Sequence, residues 1–234
     1  MQLRPEDRLF VLTGAGISAE SGLATFRGSG GLWDGHRVEE VATPEAWMAN
    51  PELVWRFYSM RRRDAMAAAP NAAHHALATI EEEMRDRFYL CTQNVDDLHE
   101  RAGSRRLHHM HGTLFASRCV RCNRPFPDRG FYESADALPA CADCGNPVRP
   151  HIVWFGEMPL AMDEIYNQLD RATVLLVVGT SGSVYPAAGF VQQARRQGVR
   201  TVYVGPEKPL NAASFGEIVL GTATEALPGL FANP

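Results

Sequence analysis

Three times along this chain a short apolar run breaks into a loop of glycines or amides. The stretches are "RLFVLTGAGIS" from residue 8, "DRFYLCTQNVDD" from residue 86 and "RATVLLVVGTSGS" from residue 171. Val174 to Val178 is apolar at every position, which suits a central parallel strand buried on both faces rather than a half-exposed one. Each loop leads toward a helical stretch. One begins near Ala187 and ends at Gly198, a good C-cap, and a shorter one ends near Gly103. "VRTVYVG" and "GEIVLGTATEALPGLF" add two more strands and a terminal helix. This alternation predicts an α/β fold with a Rossmann-like, doubly wound parallel sheet over residues 1–30, 73–117 and 151–234.

Residues 31–72 and 118–150 break the pattern. The first is helical between Gly and Pro, and the second is rich in Cys, Pro and Gly. In the second, "CVRC" at 119–122 and "CADC" at 141–144 form two C-x2-C pairs at zinc-ribbon spacing. Four thiolates close a tetrahedral zinc site with no position left for catalysis. Cys119, Cys122, Cys141 and Cys144 are therefore expected to hold one structural zinc ion. The two insertions are expected to form a single helical plus zinc-ribbon module. Cys91, in an apolar strand, reads as a small buried residue.

Several classes are disfavoured. A net charge of -4 over 234 residues does not suit a general nucleic-acid binder. The start "MQLRPEDRLFVLTGAG" lacks a signal-peptide layout, and no stretch approaches the ~18 apolar residues of a membrane span. The expectation is a cytoplasmic monomer with no membrane or nucleic-acid partner. The first glycine loop suggests a dinucleotide, but "GAGISAESG" has five residues between its second and third glycines instead of two. The stretch "GLWDGHRVEE" also supplies no second strand ending in the acidic residue a dehydrogenase uses for ribose. A phosphate-bearing ligand fits this loop, and hydride transfer does not.

"GAGISAESGLATFRG" (14–28), "TQNVDDLH" (92–99), "HGT" (111–113), the cysteine quartet, "VWFGE" (153–157) and "GTS" (179–181) follow one another in the order found in sirtuins. The chain resembles that family of NAD-dependent protein-lysine deacylases over nearly its whole length. The resemblance implies NAD bound between the large and small modules, with acyl-lysine proteins or peptides as partners. Gly14, Ala15 and Gly16 would approach the phosphates, and Ser18, Phe26 and Arg27 would line the closing loop. Gln93, Asn94 and Asp96 would hold the nicotinamide and its ribose. Gly179, Thr180 and Ser181 would meet the phosphate and adenosine side. Gly205, where many members carry Asn, would offer backbone alone, and Ala223 would neighbour the adenine. Val153, Phe155, Gly156 and Glu157 would supply a strand edge for an extended peptide.

"LHHMHGTLF" holds three histidines. Only His111 precedes the Gly-Thr of the family motif, which makes it the base that activates a ribose hydroxyl. Gly112 would let the backbone pass close to the ligand. His108 and His109 read as surface or packing residues, His99 as structural, and His36, His74, His75 and His151 as unremarkable. The products implied are free lysine, nicotinamide and O-acyl-ADP-ribose.

"WRFYSMRRR" (55–63) bears on the acyl group. With Asn50 as N-cap and Pro51 at N1, residues 51 to about 68 should be helical. At ~100° per residue, Leu53, Val54, Phe57, Tyr58, Met60, Ala65 and Ala68 share one arc. Arg61 falls near its middle, Arg62 at its edge, and Arg56 and Arg63 away from it. An inward guanidinium needs a partner. Asp64 is one choice, and the carboxylate of an acidic acyl group is another. Tyr58-x-x-Arg61 resembles the pair that class III sirtuins use for succinyl, malonyl or glutaryl lysine, and Ala42 stands where that class keeps the pocket wide. Two rivals stay open on sequence: a protein mono-ADP-ribosyltransferase, and a non-catalytic NAD- or peptide-binding module.

Overall fold

The computed structural model describes residues 1–25, 32–33, 35–182 and 184–231, with Leu32 described by its backbone alone. Phe26 and Arg27 lie outside the described residues.

The chain begins with β1 (Leu9–Thr13) and a single helical turn, α1 (Gly16–Ala19). A hairpin follows, β2 (Leu32–Trp33) with β3 (His36–Arg37), then α2 (Val38–Val41), α3 (Pro44–Ala49), α4 (Pro51–Ala67) and α5 (Ala72–Met84). Next come β4 (Phe88–Thr92), α6 (Leu98–Ala102) and β5 (Leu107–His109), then β6 (Gly112–Cys119), β7 (Pro125–Pro127) and β8 (Val148–Ile152). The chain closes with α7 (Met162–Arg171), β9 (Val174–Val178), α8 (Ala187–Arg196), β10 (Arg200–Gly205), β11 (Glu217–Leu220) and α9 (Ala223–Leu230).

Six strands form one sheet in the order β11-β10-β9-β1-β4-β5, every described pairing parallel. β1 and β9 are buried at all five positions, as their unbroken apolar runs require. Alternate side chains feed two cores. Val11, Leu90, Leu176 and Val204 pack with Leu77 of α5 and Leu227 of α9 on one face. Phe10, Leu12, Cys91 and Leu175 pack with Ile165 of α7 and Phe190 of α8 on the other. Cys91 is fully buried, and desolvation pushes its thiol far above the ordinary range.

A third core joins the insertions. Val41, Val54, Phe57 and Tyr58 from the helices and Ala42 just after α2 meet Leu114 and Ile152 from the antiparallel sheet β7-β6-β8 and Trp154 just beyond it. That sheet starts at Gly112, so its pairing begins six residues before the boundary at 118 expected from sequence. In α4 the Asn50 side chain accepts from Leu53 N at 2.9 Å, with Pro51 at the first turn, as expected. The stretch 31–40 does hold strand pairing, since β2 and β3 pair around Gly35 at φ +81. Two residues per strand are too few to leave a period in the sequence.

Candidate active site

The strand order places β1 between β4 and β9, and the chain leaves β1 in one direction and later returns on its other side. Ligands bind at such a switch point, beyond the carboxyl ends of the strands. Thr13 stands level with Thr92 and with Val178, so the loops after β1, β4 and β9 open on the same edge. Gly14, Gly16 and Gly179 are glycines because those loops touch. A Cβ on Gly16 would lie 2.7 Å from Gly179 Cα, and one on Gly179 would lie 2.5 Å from Ile17 N. Two of the three backbone N–H groups of residues 14–16 are used within these loops. Gly14 N donates to Val178 O at 3.0 Å and Gly16 N to Gly179 O at 2.8 Å. Among the described backbone bonds, none uses Ala15 N.

A buried polar network lies behind this edge. Ser18 Oγ donates to Asp96 Oδ2 at 3.1 Å and accepts from Asn94 Nδ2 at 3.1 Å. Asp96 Oδ1 caps Leu98 N at 3.1 Å. Burial pushes the Asp96 carboxyl up, against the bonds from Leu98 and Ser18 and the nearby charges of His109 and Arg61. Gln93 N donates to Thr13 O at 2.9 Å. Thr13 and Thr92 share a hydroxyl bond of 2.8 Å, and Thr13 Oγ1 stands 3.0 Å from His99 Nε2. His74, read from sequence as unremarkable, is fully buried, 3.5 Å from Ser18 Oγ and 2.9 Å from Asn71 Oδ1. Its ring meets that of His99 at 4.9 Å. Burial pulls His74 down to about 4 and His99 well below the ordinary value, so both are neutral supports. Sequence reasoning missed Asn71, His74 and Thr13 as members. The one visible signal was a threonine ending each of two apolar strands.

His111 lies just before β6, with Nδ1 3.2 Å from Gln93 O. A carbonyl only accepts, so Nδ1 carries the proton and Nε2 is left with a lone pair. Burial holds the imidazole below the usual 6.5, opposed in part by the Gln93 bond, which keeps it neutral near pH 7. Gly112 does not clear room for a ligand, contrary to the sequence reading. At φ +80, a Cβ there would sit 2.0 Å from His151 O, so the glycine lets β6 and β8 meet at an irregular register.

The stretch 153–157 is not a strand. β8 ends at Ile152, after which Val153 N donates to His111 O at 2.9 Å and Phe155 N to Ala42 O at 3.0 Å. Gly156 turns the chain at φ +88. The Glu157 carboxylate is held within the protein, taking Arg149 at 2.7 and 2.9 Å, Arg118 at 3.1 Å and Trp154 N at 2.9 Å. Burial pushes its carboxyl up, but these bonds prevail and hold it below 4.5. The Phe155 ring is 47% exposed on this ledge.

Facing the ledge, α4 turns two arginines inward, not one. Arg62 is 0% exposed and Arg61 8%. Arg62 donates to Leu114 O at 2.6 Å, to Gly130 O, to Ser117 Oγ at 3.1 Å and to Asp128 at 3.2 Å, with Trp55 5.2 Å away. It is a staple between α4 and the cysteine module and is not available to assist Arg61. The arc placed it at an edge, but β6 and the 128–130 loop cover that edge and bury it, which periodicity cannot show. Arg63 reaches out to Glu133. Asp64 is exposed while Arg61 is buried, and no ion pair joins the two among the described residues. Arg61 lies under Trp33 at 5.1 Å and reaches Ala24 O at 3.5 Å. Tyr58 is fully buried, and its hydroxyl accepts from Trp154 Nε1 at 3.0 Å. Ala42 lines the same core.

Gly205 ends β10, where a Cβ would meet Tyr203 Oη at 2.3 Å, so the tyrosine occupies the room an asparagine would need. Tyr203 Oη in turn donates to Thr180 O at 3.3 Å. Ser181 O accepts from Leu210 N at 3.3 Å, and Ala223 opens α9 as a buried residue.

The four cysteine sulfurs lie within 4.8 Å of one another. Cys119 to Cys144 is 3.6 Å and Cys122 to Cys144 is 3.3 Å, close to the ~3.8 Å edge of a tetrahedron with Zn–S bonds of ~2.3 Å. N–H groups of Arg121 and Cys122 point at Cys119 Sγ. The Asn146 backbone and side-chain N–H groups pull Cys144 down to about 6. All-thiolate donors in this arrangement fit one structural zinc ion.

The Sir2 family description matches residues 14–186. The chain is 51% identical over 224 residues to an NAD-dependent protein deacylase of Caulobacter vibrioides, covering 94% of each. A Sir2 homolog–NAD complex superimposes with TM-score 0.86 at 40% identity, over 97% of this chain and 89% of that one. A Sir2 variant solved with a p53 peptide and NAD gives TM-score 0.82 at 32% identity, over 96% and 92%. A parallel α/β sheet whose glycine loops close on one another, joined to a four-cysteine module, belongs to the Sir2 family, and so does this chain. Within that family it is an NAD-dependent protein deacylase.

Proposed function

We propose that this deacylase removes acidic acyl groups, succinyl or malonyl, as well as acetyl from protein lysine, and that Arg61 and Tyr58 read the distal carboxylate. The observation that carries this reading is the placing of Arg61, buried on α4 under Trp33. Arg62 points to the cysteine module, where four protein acceptors hold it. Arg61 stands next to it at the junction with the active-site loops, near enough to Asp96 for its charge to act there. An arginine suits a carboxylate through its paired N–H groups, and the Tyr58 hydroxyl still has its proton to donate.

When bound, NAD supplies the sugar carbon that receives the acyl oxygen as nicotinamide leaves. Asn94, Asp96 and Ser18, held by the buried network, would fix the ribose and nicotinamide. Ala15 N and the contact of Gly14–Gly16 with Gly179 would receive the phosphates, with Thr180, Ser181, Gly205 and Ala223 toward the adenosine end. Phe26 and Arg27 would complete the cover that keeps water out. His111 Nε2 takes a proton from a ribose hydroxyl. Val153, Phe155 and Gly156 form the ledge for the peptide. Four thiolates retained for zinc suit a reducing cytoplasm, and we read the chain as a monomer there. Among the described residues no helix is long and apolar enough to cross a membrane.

The test is kcat/KM on one peptide carrying acetyl-, malonyl- or succinyl-lysine, for wild type and Arg61→Met. Loss confined to the acidic substrates supports the assignment. Equal loss on all three makes Arg61 structural.

A further inference from the structure

His109 was passed over by sequence reasoning as a surface or packing residue. It lies on the edge strand β5, two residues before His111, with its side chain 14% exposed. Its Nδ1 is 2.8 Å from Asn94 O and its Nε2 is 2.7 Å from Glu100 Oε1. A carbonyl and a carboxylate both only accept, so two good bonds require a proton on each nitrogen. His109 is therefore an imidazolium, in contrast to His111, whose single bond leaves a lone pair. The two rings hold successive carbonyls, Gln93 and Asn94, of the loop that carries Asn94 and Asp96.

We propose that His109, held as an imidazolium between Glu100 and the Asn94 carbonyl, positions the 93–97 loop for NAD, and that its deprotonation sets the alkaline limit of the reaction. The proposal rests on reading that loop as part of the NAD site. The chain of bonds is continuous: Glu100 to His109, His109 to Asn94 O, Asn94 Nδ2 to Ser18 Oγ, and Ser18 to Asp96. A neutral His109 can donate to only one partner. If Nδ1 keeps the proton, a lone pair on Nε2 faces the Glu100 carboxylate at 2.7 Å. If Nε2 keeps it, the Asn94 carbonyl loses its donor. Either way one end of the clamp opens.

The groups around the ring favour the charged form. The carboxyl groups of Glu100 on α6 and of Asp96 before it both favour charge on the ring. His99 of α6 and His108 on the same strand are the other titratable neighbours, and burial keeps both below the usual value. Burial of His109 itself opposes the charge, but the Glu100 bond and charge, with Asn94 O, outweigh it and hold the imidazole above the ordinary 6.5. Activity would then need His111 neutral and His109 charged, with the acid limit belonging to the first and the alkaline limit to the second.

The experiment is kcat/KM for NAD against pH, with zinc content and melting temperature checked, for wild type, Glu100→Gln, His109→Gln and Asn94→Ala. Glu100→Gln should move the alkaline limb to lower pH and leave the acid limb in place. His109→Gln should remove that limb and raise KM for NAD about tenfold, the worth of one charge-assisted hydrogen bond. If Glu100→Gln leaves the alkaline limb where it was, the clamp is wrong, even when Asn94→Ala confirms the loop by raising KM for NAD. If Asn94→Ala leaves KM for NAD unchanged, the loop reading fails and the proposal falls with it.

Discussion

Replacing Arg62 by methionine keeps the stem and removes the guanidinium. It leaves Leu114 O without its donor and Asp128, whose side chain is 8% exposed, without its counter-charge. Breaking a buried ion pair from one side costs about 3–5 kcal/mol. The lower end applies here, because Asp128 keeps Gly130 N at 2.9 Å, Tyr132 Oη at 3.1 Å and the Ser117 hydroxyl. For a chain of 234 residues the entropy of unfolding at the midpoint is roughly 0.5 kcal/mol/K. A loss of about 3 kcal/mol therefore lowers Tm by about 6 °C. The assay is calorimetry of the zinc-loaded protein, with Arg62→Met/Asp128→Asn beside it. The double variant should recover part of the loss, since the stranded charge is gone. A drop under about 2 °C, or a double variant no better than the single, would refute the staple.

Other outcomes follow from the same geometry. Zinc removal by a chelator should abolish deacylation and expose the β6–β8 sheet to protease, because the four cysteines join β6 to the loop before β8; retained activity without metal would contradict a structural role. His111→Ala should remove turnover while nicotinamide exchange on an acyl-peptide persists, and the wild-type acid limb should lie below 6.5, since burial lowers this imidazole; an acid limb above 6.5 would point to another base. Trp33→Ala, which removes the ring lying over Arg61, should raise KM for a succinyl peptide roughly two- to fivefold, as fits a cation–π contact of ~0.5–1 kcal/mol, with acetyl unchanged. Asp128 is pushed up by burial, but Ser117, Gly130 N and Arg62 together hold it below 3.8. Its contribution to stability is complete above that value and is lost as pH falls through the lower folded value, so the Tm gap between wild type and Arg62→Met should narrow in acid, where protonating Asp128 removes the stranded charge; a gap that stays constant would contradict the pairing.

Much of the site was legible because its chemistry is local. The cysteine pairs bring their own spacing, and each C-x2-C knuckle needs only its own loop to aim two sulfurs. The parallel strands announced themselves because burial on both faces demands an unbroken apolar run. Asn50 and Pro51 set the start of α4 through bonds that span three residues. The family motifs then pointed to His111, Asn94 and Asp96.

What the sequence left open depends on contacts between distant segments. Nothing in the sequence showed that Arg149 and Arg118 close around the Glu157 carboxylate. Gly112 looked like a ligand glycine until His151 O occupied the space. Helical periodicity can say which way Arg61 and Arg62 point from α4, but not what lies there. The buried acceptors for Arg62 come from residues 114, 117, 128 and 130, more than fifty positions away. The sequence alone determined the sheet and the cysteine quartet, because each is specified by residue type and short-range spacing, while the histidine proposed as base came from the resemblance to sirtuins. Only the tertiary structure decided which buried arginine staples the cysteine module and which stands beside the active-site loops, because desolvation and pairing belong to the neighbours a side chain meets after folding.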